Sequence, residues 1–359
     1  MRIRFPLLTF SSFAIFVAVC HSSNNMNEQD EGYNSSDMNT TETSSSTIGP
    51  SRVIAPILAI IGVLANLTVI IVFINCKIHS KSFSYTLVLQ QAVIDMLGCG
   101  SFVVFSFVDL KTSIACKSGA IFYFIIFASS HNLVLISVER YIAVVHPLKY
   151  WARGNQNKSL LPRLSIPFVS SFLTSFYFAI VLGINEEGKC KISFEEKNIA
   201  ISTGVILLFG TGIIPISIML YCYHRVYVAL CEQLITRKEL TRTQQTDAES
   251  STNQKQNNQT ERNFTITVLI TTLIYIICLS PSMLLYLSLA VVSTSGKLSY
   301  YVIVSIVLYL FNMVANPFVY AYKFPDYKQG FCKTFCCRDR VVLGRRVDRS
   351  TTQEQSTSL

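Results

Sequence analysis

Residues 116–141 read CKSGAIFYFIIFASSHNLVLISVERY, an apolar stretch that opens on a cysteine and closes on Glu139-Arg140-Tyr141. A helix rises ~1.5 Å per residue and needs roughly 20 residues to cross ~30 Å of hydrocarbon, so this run is long enough for a membrane. Six more runs of the same kind surround it. Together they place spans near 53–75, 83–108, 116–138, 164–184, 199–223, 264–292 and 299–322. A permanently charged arginine at the inner end of one span is costly to hold there, and that cost points to a function. The pattern predicts an all-α integral membrane protein built as a seven-transmembrane helix bundle.

Composition agrees. Half of the 359 residues are hydrophobic and 14% are charged, too apolar for an ordinary soluble domain of this size. The net charge of +9 would suit a nucleic-acid partner, but its distribution excludes one. With the spans above, 21 Lys and Arg fall on one side, including the tail from Lys323, against seven on the other. Positive charge is retained in the cytoplasm, so the N-terminus is expected outside and the C-terminus inside.

The chain start reads as a signal peptide over residues 1–20, with Arg2 and Arg4 before an apolar stretch and small residues Ala18 and Cys20 after it. The competing reading, an eighth helix, would hold the N-terminus inside. Residues 21–52 are polar and acidic and predict a disordered, glycosylated extracellular tail with acceptors at Asn34 and Asn39. The transmembrane domain follows over 53–323, then a juxtamembrane amphipathic helix and cytoplasmic tail over 324–359. The third inner loop, Arg225 to Arg262, is polar and expected to be disordered in its middle. Of eleven cysteines, Cys116 and Cys190 face the oxidising side and are expected to form a disulfide. Cys332, Cys336 and Cys337 follow a basic amphipathic stretch, the setting for acylation; a zinc site would need further ligands that the stretch lacks.

Ionisable groups inside spans are functional by default. Asp95 lies midway along the second, with Asn66, Ser129, Asn312 and Asn316 as polar neighbours on other spans. Converging, they would make an oxygen-rich site for Na⁺ or a hydrogen-bonded carboxylate that fixes packing. Arg140 stands 24 residues beyond Cys116, at the cytoplasmic mouth. Glu139 adjoins it, and Glu261 at the start of the sixth span is the expected second partner for a latch; a snorkelling arginine is the alternative. Pro215, Pro281 and Pro317 place bends in the fifth, sixth and seventh spans.

Taken in order, these residues resemble a rhodopsin-like (class A) G-protein-coupled receptor over roughly residues 53–337. The resemblance rests on Asn66, Asp95, Cys116, Glu139-Arg140-Tyr141, His146-Pro147-Leu148, Cys190, Pro215, Tyr223, Glu261, Cys278, Pro281 and Asn316-Pro317-Phe318-Val319-Tyr320. It implies an extracellular agonist, outward movement of the sixth helix and activation of a heterotrimeric G protein. By analogy, Arg140, Tyr223 and Tyr320 form the active contact set, while Asp95, Ser129, Asn312 and Asn316 match the family's sodium pocket. Two departures stand out. The fourth span lacks the family's usual tryptophan, and Leu279 stands where the sixth usually carries one.

The pocket is read at Asp109, Phe122, Tyr123, Leu279, Tyr286 and Tyr309. Phe122 or Tyr123 occupies the level where amine receptors place an aspartate, which leaves a monoamine without a counter-ion. A peptide agonist is the first expectation. A lipid or small polar ligand, or an orphan that is constitutively active or does not couple, is the alternative. The tail, with Ser350, Thr351, Thr352, Ser356, Thr357 and Ser358, offers phosphorylation sites for an arrestin-like partner, and Thr357-Ser358-Leu359 resembles a PDZ ligand. A transporter's internal repeat and an enzyme's nucleophile–base pair are both missing from the sequence.

Overall fold

The computed structural model describes residues 50–107, 112–154, 160–184, 190–192, 197–243, 251–291 and 298–336. The chain divides into a unit of Met1–Ile54 and a second of Ala55–Leu359, and the second holds the architecture that follows. The signal peptide, the tail with Asn34 and Asn39, Asp109, Cys337 and the C-terminal motif lie outside the described residues.

Seven helices are long and apolar enough to cross a membrane: Ile54–Asn75, Phe83–Phe107, Ser113–Val145, Leu161–Val181, Ile201–Gln233, Asn263–Leu285 and Val304–Lys323. Helices prevail because a lipid-facing backbone must satisfy its own donors and acceptors. Hydroxyls within spans follow the same rule by bonding back to the preceding turn, as Thr68 does to Leu64 (2.8 Å) and Ser137 to Leu133 (2.8 Å). The third span is the hub, packing against the second, fourth and fifth, while the sixth packs against the seventh and the outer fifth.

Two spans depart from a plain helix. The third is a short helix, Ser113–Ser118, and a long one, Ala120–Val145, joined at Gly119. Thr112 caps the short piece, its hydroxyl accepting from the Ala115 N–H at 3.2 Å. Cys116 in that piece is bonded to Cys190, as expected, with a Cα–Cα distance of 5.3 Å. Cys190 begins β2 (Cys190–Ile192), which pairs antiparallel with β1 (Leu182–Ile184), so the disulfide ties this outer hairpin to the third span. In the fifth span a π-helical turn, Leu208–Ile213, separates Lys197–Leu207 from Ile214–Thr243. Pro215 follows directly. Its missing N–H explains why the ladder loosens there.

On the inner side the helices reach further than expected. The fifth runs to Thr243 and the sixth begins at Ser251, so both ends of the third inner loop, 225–243 and 251–262, are helical, and the middle at 244–250 lies outside the described residues. The Gln, Glu, Lys and Arg residues of those ends are good helix formers, and a span that is already helical supplies the nucleus from which they extend. The juxtamembrane helix Pro325–Phe331 is anchored by Asp326, which pairs with Lys81 at 2.9 Å. A ring ladder, Tyr327–Phe331–Phe335, runs along it with centroids 6.2 and 5.0 Å apart.

Gly62 sets how closely the first span approaches its neighbours. A Cβ there would stand 2.5 Å from Cys99 Sγ and 2.8 Å from Val314 Cγ2. Gly62→Val should therefore destabilise the purified protein by about 1–3 kcal/mol, read as a lowered melting temperature in detergent or nanodiscs.

Candidate functional site

Midway through the membrane a fully buried cluster joins the second, third and seventh spans. Asp95 Oδ1 accepts from Gln91 Nε2 at 2.8 Å and from Ser129 Oγ at 2.9 Å, and Asp95 Oδ2 accepts from Asn316 Nδ2 at 2.7 Å. Gln91 Nε2 also donates to Ser129 Oγ at 2.7 Å, while its Oε1 accepts from Asn132 Nδ2 at 2.9 Å. Asn66 crosses from the first span to donate to the Met313 carbonyl at 3.1 Å, and Asn312 is buried on the same face of the fold. The five polar residues singled out in the sequence are all buried, Asp95, Ser129 and Asn316 in direct contact. Gln91 and Asn132 complete the cluster, and a sequence scan for ionisable groups passes over both.

A small hard cation needs the carboxylate and the hydroxyl to turn lone pairs toward it. Here Ser129 gives its proton to Asp95 and takes one from Gln91, and both Asp95 oxygens accept N–H donors. As arranged, this donor set does not fit a cation at the carboxylate.

A second node lies around Pro215. A proline cannot donate to the carbonyl four residues before it, which here is that of Thr211. The Tyr275 hydroxyl from the sixth span donates to that carbonyl instead, and Ser130 Oγ from the third span pairs with the same hydroxyl. Tyr309 from the seventh donates to Thr211 Oγ1 at 3.0 Å. Four spans meet around Thr211 and the Tyr275 hydroxyl. Leu279, one turn further along the sixth span, is fully buried. Beside the node, His131 bonds Ser170 (2.9 Å), Ser171 (3.1 Å) and the Gly210 backbone in the π-helical turn.

At the inner end Arg140 is 1% exposed, and its guanidinium carbon sits 4.1 Å from the centroid of the Phe264 ring. That ring is wedged between Tyr85 (4.8 Å) and Phe324 (5.3 Å), which also face one another at 5.3 Å. Glu139 faces Arg163 at 3.9 Å. Glu261, the partner expected from sequence, stands on the helix Ser251–Val291, with its side chain outside the described ones. Phe264, three residues on, is an Arg140 partner that the sequence reading missed. Tyr223 accepts from Ser137 and from Thr272, each at 3.2 Å, which ties the third, fifth and sixth spans just above. Tyr320 is buried nearby on the seventh. Tyr141 meets His146 Nε2 at 3.2 Å, at the turn into the second inner loop.

The model of the seven-transmembrane receptor (rhodopsin family) matches residues 65–320, which takes in all of these groups but Phe324. The chain belongs to that family. It is a multi-pass plasma-membrane receptor and not an enzyme. Among curated proteins it is similar to the Alpha-1A adrenergic receptor of Oryzias latipes, 28% identical over 205 residues, 54% of this chain and 42% of that one. It is also similar to the Free fatty acid receptor 3 of Rattus norvegicus, 25% identical over 195 residues, 50% of this chain and 61% of that one. A third is the Somatostatin receptor type 5 of Rattus norvegicus, 26% identical over 237 residues, 62% of this chain and 60% of that one. The matched stretch spans between two fifths and two thirds of these relatives' lengths.

In the outer half of this receptor, Tyr123 stacks flat on Phe178 of the fourth span, centroids 4.1 Å apart. Phe122 faces Phe102 of the second span at 6.1 Å. Leu279 and Tyr309 are buried deeper, whereas Asp109 and the Tyr286 side chain lie outside the described ones. On the inner side Cys332 is exposed, and the side chains of Cys336 and Cys337 are likewise outside the described ones.

The polar node makes a direct prediction. Tyr275→Phe strands the Thr211 carbonyl in the receptor core and should cost about 0.6–2 kcal/mol in thermal unfolding, the range found for side-chain hydrogen bonds in membranes. Ser130→Ala leaves the Tyr275–Thr211 bond intact and should cost less.

Proposed function

We propose that this receptor binds an extracellular peptide agonist at its outer face and activates a heterotrimeric G protein by outward movement of the sixth span. The observation that carries the reading is the seat of Arg140 on Phe264. A buried guanidinium seated on a ring of the sixth span is a two-state element, because moving that span away removes the ring. A desolvated cation–π contact is worth about 2 kcal/mol, a size that an agonist's preference for the open state can supply. Tyr223, already between the third and sixth spans, and Tyr320 on the seventh are the neighbours that would receive Arg140 once Phe264 leaves.

The peptide part rests on the outer surface. The β1–β2 hairpin is a two-stranded sheet whose edges can accept a further strand, and the Cys116–Cys190 bond fixes it to the third span. The level where a monoamine would need a carboxylate holds Phe122 and Tyr123. The relatives are named for adrenergic, fatty-acid and somatostatin ligands, so their names select no class. The phosphorylated tail would recruit an arrestin-like protein, and its last residues a PDZ domain.

G-protein activation in cells at matched surface expression tests this. Arg140→Ala should abolish signalling. Phe264→Ala should raise the basal signal by up to ~30-fold, the equivalent of ~2 kcal/mol, and Glu261→Ala should raise it too. Silence of every variant despite normal surface expression would overturn the receptor-coupling reading. For ligand class, Asp109→Asn and Ile184→Ala should weaken a peptide response about tenfold, one lost contact of ~1.4 kcal/mol. A lipid response would survive both and fall with Tyr123→Leu.

A further inference from the structure

We infer that the side-chain amide of Gln91 occupies the place of a cation beside Asp95, so that the polar core of this receptor is complete without sodium and insensitive to it. Gln91 is 0% exposed and lies one helical turn before Asp95 on the same face of the second span. Its two N–H groups have two acceptors, Asp95 Oδ1 and Ser129 Oγ, and its carbonyl takes the Asn132 amide. Asn132 is in turn held by the Leu87 carbonyl at 3.2 Å.

This geometry removes what a cation requires. The Ser129 oxygen gives its proton to Asp95 and accepts from Gln91, so one of its two lone pairs is already taken by an N–H. An amide nitrogen carries no free lone pair, and its N–H groups present positive dipole ends where an ion would sit. The carboxylate thus receives three donors from neutral side chains, which meet its charge by hydrogen bonds. What remains are the Oδ1 atoms of Asn66, Asn132, Asn312 and Asn316, buried and without a partner among the described residues. Neutral amide oxygens suit an ordered water; with the carboxylate engaged elsewhere they do not offset the dehydration of an ion.

The arrangement also explains why Gln91 reaches across to two residues of the third span. A leucine there would leave Asp95 with one fewer donor and release the Ser129 lone pair that Gln91 takes, the two conditions that make room for a cation.

The test is a melting series on the purified full-length receptor in nanodiscs, with sodium chloride exchanged for choline chloride at constant ionic strength. Wild type should melt at the same temperature in both salts. Gln91→Leu should acquire a saturable, sodium-specific stabilisation, about tenfold in the folded-to-unfolded ratio once sodium reaches roughly ten times its dissociation constant. Asp95→Asn added to that variant should abolish the gain. Gln91→Met, which keeps the chain length and removes both donors, repeats the test if Gln91→Leu does not fold. Saturable sodium stabilisation of wild type that Asp95→Asn removes would overturn the inference. So would a folded Gln91 variant that stays insensitive to sodium. Should neither variant fold, the wild-type titration decides alone. Unfolding needs no agonist and no G protein, so the result is independent of the ligand proposal.

Discussion

Hydrocarbon offers a polar group nothing to bond with, and an unsatisfied donor or acceptor there costs several kcal/mol. Asp95 is the severest case in this receptor, a carboxyl group buried at the centre of the bundle. It is tolerated because side chains from three spans close around it: Gln91 from its own, Ser129 from the third and Asn316 from the seventh. Each of those spans is thereby held in one rotation and one depth, since a slip of one residue would turn its donor away.

The same demand recurs down the third span. Ser129 and Ser130 are consecutive, so their side chains point roughly 100° apart around the helix. One turns to Asp95 of the second span and the other to Tyr275 of the sixth. Two turns further in, Ser137 reaches Tyr223 of the fifth, and Arg140 then rests on Phe264 of the sixth. The third span is therefore a polar spine, and its polar residues engage the second, fifth and sixth spans in turn. Movement of the sixth span must break the attachments to that spine at Tyr275 and at Phe264. This gives the outer half a route to the inner half without a tryptophan at position 279. The Thr211 carbonyl sits just below that position, and Tyr309 from the pocket level already reaches Thr211.

Much of this was legible in the residue order. The seven spans follow from length and apolarity, the Cys116–Cys190 pair from compartment, and the importance of Asp95 from the cost of a charge in lipid. The set of Asn66, Asp95, Ser129, Asn312 and Asn316 could be named because each is polar at a depth where polarity is expensive. Gln91 and Asn132 meet the same criterion, but nothing in their local sequence says that they face Asp95 and Ser129. Thr211 had its own signal: four residues before Pro215, its carbonyl had to find a donor. The sequence did not say that the donor would be Tyr275. It named a carboxylate, Glu261, for Arg140, and that side chain lies outside the described ones; the Phe264 ring under the guanidinium went unread, because a flat aromatic face leaves no pattern of charge.

Local chemistry explains the division. Hydrophobic length, helix propensity and the price of burying a charge are properties of a segment, so the residues alone determined the spans, the bends at proline and the list of side chains obliged to find partners. Who partners whom depends on the relative rotation of helices far apart in sequence. Only the tertiary structure decided that Gln91 would fill the space beside Asp95 and that Phe264 would hold Arg140. Packing sets rotation to a fraction of a helical turn, and a hydrogen bond or a ring contact is won or lost within that fraction.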